Sequence, residues 1–365
     1  MLKKISKNTK SSFITCALVI VIYAVIQIMN SAGSLSSLIK GMLVLLCVYS
    51  MMAISLNLTV GVLGELSLGH AGFMCVGAFS SGLFTQMLKT GPMNPNLRFF
   101  LAIMVGIVCA ALFGFLIGIP VLRLKGDYLA IVTLGFGEII KSIFNALYAY
   151  KDANGVFHLS FTSPKAAVTD EAVISQYKIY IDGSAGITRN PMQSTFTIGI
   201  IMLLLSLVII LNLMHSRTGR AVMAIRDNRI AAESVGIHIT KYKLLAFTLS
   251  AAIAGAAGAL YAHNAPSLMA TSAKFGYNMS IMFLVFVVLG GIGSMRGSII
   301  ATIILTVLPE LLRFLNTYRM LIYSIVLIVM MLWNWAPACK NFREKYSLKR
   351  FLRMKLTKKK TEEEV

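Results

Sequence analysis

The chain has 365 residues, of which 57% are hydrophobic and only 13% charged, and its mean hydropathy is +0.77. Soluble domains carry about a quarter charged residues, so this composition excludes a soluble protein and indicates a membrane one. A net charge of +20 would suggest nucleic acid as the partner of a soluble chain, but no basic patch is interleaved with exposed aromatics or set on a recognition helix, which excludes that partner.

A helix needs about 20 apolar residues to cross a hydrocarbon core about 30 Å thick. Runs of that kind recur at residues 13–29, 39–60, 66–88, 99–122, 128–148, 195–214, 242–263, 278–291, 297–315 and 320–335. The first follows Lys3, Lys4, Lys7 and Lys10 as a signal peptide would, but it is too long for an ordinary apolar signal core and has no clear A-x-A site, so it reads as a retained span. The eighth and ninth are joined by Gly290-Gly291-Ile292-Gly293-Ser294, which can be a loop between crossings or a re-entrant turn. The expected fold is all-α, a polytopic transmembrane helix bundle of about ten spans. Residues 1–336 make a single transmembrane domain and 337–365 a basic cytoplasmic tail.

Lys and Arg accumulate on the cytoplasmic side of short loops. With the N-terminus inside, ten alternating spans place 23 of the 34 basic residues inside: the four N-terminal lysines, Arg123 and Lys125, the group from Arg217 to Lys243, Arg296, and the tail from Lys340 to Lys360. The inverted orientation would strand the tail and the Arg217 to Lys243 group outside. Both termini are therefore expected inside, and the +20 charge becomes topology and attraction to anionic lipid. The stretch 151–193 then lies outside; it is polar, with Asp152, Asp170, Glu171 and Asp182, and it serves as a solvated loop or a docking surface for an external partner.

The cytoplasmic stretch 215–241, between spans six and seven, reads as a short helix lying along the membrane. Ala221, Ile225, Ala232 and Val235 recur at roughly helical spacing, Arg220, Asp227 and Glu233 lie elsewhere, and Gly236 supplies a stop. Such a helix can be held by lipid or gripped by another protein.

Residues Gly219-Arg220-Ala221 through Ala231-Ala232-Glu233-Ser234-Val235-Gly236 resemble the coupling-helix region of the branched-chain amino acid permease family. Three more stretches resemble the same family in the same order: Gly64-Glu65-Leu66-Ser67-Leu68-Gly69-His70-Ala71-Gly72-Phe73, then Leu122-Arg123-Leu124-Lys125-Gly126-Asp127-Tyr128-Leu129-Ala130-Ile131-Val132-Thr133-Leu134-Gly135-Phe136-Gly137-Glu138-Ile139, and Val288-Leu289-Gly290-Gly291-Ile292-Gly293-Ser294 with Arg296-Gly297. The Gly126 to Ala130 stretch is similar to the LivM-like branch rather than its LivH-like sister. The resemblance implies a bacterial inner-membrane importer in which this subunit pairs with a homologous permease, two cytoplasmic ATPase subunits hydrolyse ATP, and an extracytoplasmic solute-binding protein delivers substrate. It also implies that Arg220, Ala224, Arg226, Ala232, Glu233 and Gly236 couple the chain to the ATPases. The solute of such a permease is leucine, isoleucine or valine, with urea or an amide as alternatives. The chain itself has no G-x-x-x-x-G-K-[ST] phosphate loop, so energy must come from another chain or from an ion gradient.

Ionisable groups inside a bilayer cost roughly 2.5 to 3.5 kcal/mol each and need a reason. Glu138 and Lys141 stand three apart on one helical face, as do Glu310 and Arg313, and can pair. Glu65 and His70 have no such neighbour and lie near the expected inner surface. Glycines punctuate the approach to the third span (Gly61, Gly64, Gly69, Gly72, Gly77) and the eighth and ninth (Gly290, Gly291, Gly293, Gly297). They serve close helix packing or a broken helix whose freed backbone groups hold an amino acid. The candidate pathway residues are therefore Gly64, Glu65, Gly69, His70, Glu138, Gly290, Gly291 and Gly293. An ion-coupled secondary transporter using Glu65, Glu138 or Glu310 is the alternative. Four cysteines (Cys16, Cys47, Cys75, Cys109) fall in apolar runs, Cys339 opens the tail, and neither they nor the five scattered histidines have disulfide or metal-ligand spacing. With no G-x-S-x-G or H-E-x-x-H, the sequence points to a transport subunit without a metal or cofactor rather than an enzyme.

Overall fold

The structure is a computed structural model that describes residues 7–31, 37–89, 91–124, 126–152, 155–164, 177–312 and 318–335. The helices are α1 (Lys7–Ser31), α2 (Ser37–Asn57), α3 (His70–Met87), α4 (Pro95–Val121), α5 (Asp127–Ala146), α6 (Phe196–His215), α7 (Arg217–Asp227), α8 (Arg229–Ser234), α9 (Ile239–Ala262), α10 (Ser272–Phe275), α11 (Tyr277–Gly290), α12 (Met295–Leu311) and α13 (Arg319–Trp335). The chain divides into two compact units, Met1–Ile303 and Ile304–Val365. The second holds the end of α12 and all of α13; the site described below lies in the first.

A helix lies at each of the ten expected runs. Among the described residues, six helical segments, Gly41–Leu63, Pro95–Val121, Asp127–Ala146, Phe196–His215, Ile239–Ala262 and Ser272–Gly290, are long and apolar enough to cross a membrane. The third run differs from expectation, because its helix begins only at His70 and residues 64–69 are not helical. The eighth run forms the single helix α11, which the break at Gly276 separates from the short α10 just before it.

The core is built on α9, which packs against α3 and α4. Its middle reads Ala254-Gly255-Ala256-Ala257-Gly258-Ala259, all buried. Small residues let backbones meet: a Cβ on Gly258 would lie 2.9 Å from the Ala78 nitrogen, and one on Gly106 would lie 2.9 Å from the Gly77 carbonyl oxygen. The opposite faces are apolar and exposed, with Phe100, Met104, Val108, Phe115 on α4 and Ile201, Leu205, Val208 on α6, as a surface facing lipid requires.

An all-helical reading missed a small antiparallel sheet in the outer stretch. Strands β1 (Tyr148–Lys151), β2 (Phe157–Ser160) and β3 (Lys178–Asp182) lie in the order β2-β1-β3. Aromatic and alternating residues favour strands, but segments of four and five residues are too short to stand out in a polar loop. Ile187 pairs with Leu268, tying the stretch to the turn after α9. Asn154, Asp170 and Glu171, Lys125, the Arg313 partner expected for Glu310, Lys3 and Lys4, Cys339, the boundary at 336/337 and the basic tail lie outside the described residues.

Candidate functional site

At the end of α2 the backbone widens into a π-turn, Leu58–Leu63. Thr59, Val60 and Val62 are β-branched and Gly61 is permissive, which weakens the α-helical alternative. Gly64 ends the turn with φ +81° and donates its N–H to the Thr59 carbonyl, a bond spanning five residues. Single π-turns inside helices often mark functional sites.

Three groups fasten this turn. Asn57, fully buried at its start, accepts from the Gly293 N–H at 2.8 Å and donates to Ser298 Oγ at 2.8 Å. A Cβ on Gly61 would press on Asn57 Oδ1 and come within 2.7 Å of Gly293 Cα. The two glycine-punctuated stretches, more than 200 residues apart, therefore touch. Thr59 donates to Ser250 Oγ at 2.9 Å, and Ser250 and Ser55 exchange hydrogen bonds with each other's carbonyls across α9 and α2. His70 Nε2 lies 2.9 Å from Ser250 Oγ and 3.0 Å from Ser55 Oγ, so the histidine at the start of α3 belongs to a wholly buried polar knot.

The third group comes from the amphipathic segment. Arg226, near the end of α7, donates through Nη1 to the Gly61 carbonyl at 2.8 Å, and its stem lies against Gly64, where a Cβ would meet Cγ at 2.5 Å. The other edge of the guanidinium binds Asp227 Oδ1, from Nε at 3.0 Å and Nη2 at 2.8 Å. The segment was expected as one helix, but it is two, broken at Asn228, whose Oδ1 accepts from the Ala231 N–H at 3.1 Å to cap α8. Its buried side is Gly219, Val222, Ile225 and Ala232; Ile225 and Ala232 pack with Ile239, Ile237 and Tyr242. Val235 is 74% exposed rather than on the buried side, because the break at Asn228 turns α8 away from the α7 period.

Of the other expected coupling residues, Arg220 donates to the His215 carbonyl at 3.2 Å and the Ala224 carbonyl accepts the Asn228 N–H at 3.0 Å. Glu233 and Gly236 line a recess of mixed polar and apolar character with Arg229, Ile237, His238, Ile239 and Thr240. Ile230, 81% exposed, and Val235 stand beside it as apolar contacts with no cover from the described residues.

Glu65, which lacked a local partner in sequence, pairs with Lys243 in the first turns of α9. Lys243, read as a cytoplasmic loop residue, is 5% exposed. Gly69 and Gly72 meet Gly137 on α5, where a Cβ on Gly72 would lie 2.8 Å from Gly137 Cα. Next to it, Glu138 pairs with Lys141 as expected and also accepts the Tyr277 N–H at 2.7 Å, holding the first turn of α11; Lys141 reaches Ser272 Oγ at 2.9 Å. Gly290 lies against the backbone of Gly297 and Ser298, and Gly291 to Ser294 turn the chain from α11 into α12. The structure thus gathers Gly64, Glu65, His70 and Gly293 around the π-turn and leaves Glu138 at a separate helix break. Asn57, Asp227, Lys243, Ser250 and Ser298 were missed. A buried asparagine in an apolar run was the available signal, since a polar group there needs partners.

The family described as branched-chain amino acid transport system, permease component, matches residues 38–332. The high-affinity branched-chain amino acid transport system permease protein LivM of Salmonella typhimurium is 36% identical over 296 residues, covering 79% of this chain and 66% of that protein. The LivM protein of Escherichia coli is 35% identical over the same shares. The nucleoside ABC transporter permease protein NupC of Lactococcus lactis is 24% identical over 239 residues, 65% of this chain and 71% of that one. The chain thus spans just under two thirds of the length of the two LivM relatives. No solved structure matches it significantly.

Proposed function

We propose that this chain, which belongs to the permease component family of branched-chain amino acid transport systems, forms half of the translocation pathway of an ATP-driven importer in a bacterial plasma membrane. Its solute is a branched-chain amino acid, the substrate named for the LivM relatives. It works with a homologous permease, two cytoplasmic ATPase subunits that hydrolyse the ATP, and an extracytoplasmic binding protein. The chain crosses the membrane about ten times with both termini inside, an orientation supported by the distribution of its basic residues. Residues 215–241 face the ATPases, and Ile230, Val235, Glu233 and the recess beside them form the contact surface.

The observation that carries this reading is the Arg226 contact to Gly61, because it joins an amphipathic surface segment directly to a broken membrane helix. A segment merely resting on lipid has no need of that contact. The ion pairs of Glu65 with Lys243 and Glu138 with Lys141 speak against either of these two carboxylates, of the three considered with Glu310, as the site of a coupling cation.

Purification of the tagged chain from its own cells in a mild detergent, followed by mass identification of its companions, tests the reading. A second homologous permease and an ATPase are the expected companions. Recovery of the chain alone, or only with copies of itself, from cells expressing such partners would overturn the importer.

A further inference from the structure

We infer that the π-turn Leu58–Leu63 is the switch through which movement of α7 reaches the pathway, with Arg226 as its latch on one side and Asn57 on the other. The inference rests on the importer reading, because it needs a partner that moves α7. Each part of the device is visible in the contacts of the turn.

The last carbonyls of a helix have no intrahelical donor. Here the Gly61 carbonyl is satisfied by the Arg226 guanidinium, a cation at the negative end of a helix and a charge-assisted donor. Arg226 is the only link among the described hydrogen bonds between α7 and this turn. Its guanidinium also lies on Asp227, whose side chain is 68% exposed. A partner that takes hold of Asp227 or of the surface around it therefore acts on the same guanidinium that holds Gly61. The chain of contacts is short: exposed carboxylate, half-buried guanidinium, backbone carbonyl.

On its other side the turn is bound to the joint between α11 and α12. Asn57 holds the Gly293 N–H and Ser298 Oγ, and the missing side chain of Gly61 allows the two backbones to touch. These contacts depend on the wide turn. Returning the segment to α-helical winding would rotate everything after Asn57 by about 100° per residue removed from the bulge, which carries Gly61 away from Gly293. The π and α forms thus give two discrete arrangements of the same elements, which is what a coupling element requires. With Arg226 in place the π form is favoured; with Arg226 withdrawn, the Gly61 carbonyl is freed for a backbone donor and the α form gains. The 290s turn and the Glu65 to His70 stretch, both joined to the π-turn, move with it.

The test uses the whole transporter, this chain with its permease partner, ATPases and binding protein in proteoliposomes, with leucine uptake and ATP hydrolysis measured together. Arg226→Met and Asn57→Ala should assemble and hydrolyse ATP near the parent level while uptake per ATP falls about tenfold. Arg226→Lys, which still presents a cation to the Gly61 carbonyl, should recover part of the coupling. Deletion of Val60, the only half-buried residue of the turn, should enforce the α form and uncouple in the same way. A purely structural role would lower assembly and hydrolysis with uptake, and Arg226→Lys would then show no separate gain in coupling. Parent-like uptake per ATP in Arg226→Met and in Asn57→Ala would overturn the switch. If Asn57→Ala fails to assemble, Arg226→Met decides, because its side chain is 38% exposed and its loss leaves no cavity. A parent complex that transports nothing with ATP would instead remove the importer reading, and the switch with it.

Discussion

Glu138 with Lys141 and Glu65 with Lys243 are both carboxylate–ammonium pairs among apolar helices, yet they are built differently. The first joins residues one turn apart on α5, so its geometry follows from the helical period alone. The second joins a non-helical stretch to a helix 178 positions later, and only the folded chain brings it about. In sequence Glu65 looks like a lone acid and Lys243 like one more base of a cytoplasmic loop. The consequence differs too. The local pair can form whenever α5 forms, whereas the distant pair requires α9 to be seated beside the exit of the π-turn, and so reports on assembly of the site.

The largest expected effect breaks the distant pair. Lys243→Met leaves Glu65 with its side chain only 14% exposed and no partner, a loss of about 3 kcal/mol in stability. Lys243→Met combined with Glu65→Gln should recover most of it, because two desolvated charges are replaced by uncharged groups. Thermal unfolding of the purified chain in detergent reads the difference. Equal midpoints for the single and the double variant would show that the pair is not coupled, and the contrast with α5 would collapse.

The same contrast explains what could be read from the sequence. The helices at all ten apolar runs, the Glu138–Lys141 pair and the glycine stretches were legible because each depends on neighbours in the chain. Period, composition and length suffice for these. The contact of Gly61 with Gly293 was not legible, since two glycines say only that something approaches closely and not what. Asn228 is a further case: its side chain caps α8 and divides the amphipathic segment, and that moved Val235 from the expected buried side into the open. Residues 66–69 were read as the start of the third span, whereas the stretch that Gly64 opens in the left-handed region stays non-helical until His70.

A smaller effect sharpens the local pair. Glu138 serves both Lys141 and the Tyr277 N–H, while Lys141 serves Glu138 and a hydroxyl. Glu138→Ala orphans a backbone donor at the start of α11 and leaves the ammonium only the Ser272 hydroxyl, and should cost about 2 kcal/mol. Lys141→Ala leaves Glu138 with its backbone donor and should cost about 1 kcal/mol. Glu138→Gln keeps an acceptor for Tyr277 and should behave like Lys141→Ala. Similar losses in Glu138→Ala and Lys141→Ala, by the same thermal measurement, would mean that the carboxylate serves only its own helix.

Ser272 tests the outermost part of this arrangement. Its hydroxyl accepts from Lys141 at 2.9 Å across the gap between α5 and the short helix α10. Ser272→Ala removes one acceptor from an ammonium that keeps its carboxylate, so the expected loss is about 0.5 kcal/mol. In the Glu138→Gln background the hydroxyl becomes one of the few acceptors left to Lys141, and the same substitution should cost more. The two losses differ only if Ser272, Lys141 and Glu138 act as one group, which is the non-additivity a double-variant cycle measures. Equal losses in both backgrounds would reduce the break at Gly276 to a site that α5 happens to pass. Unequal losses would make the local pair, like the distant one, a fastening between helices.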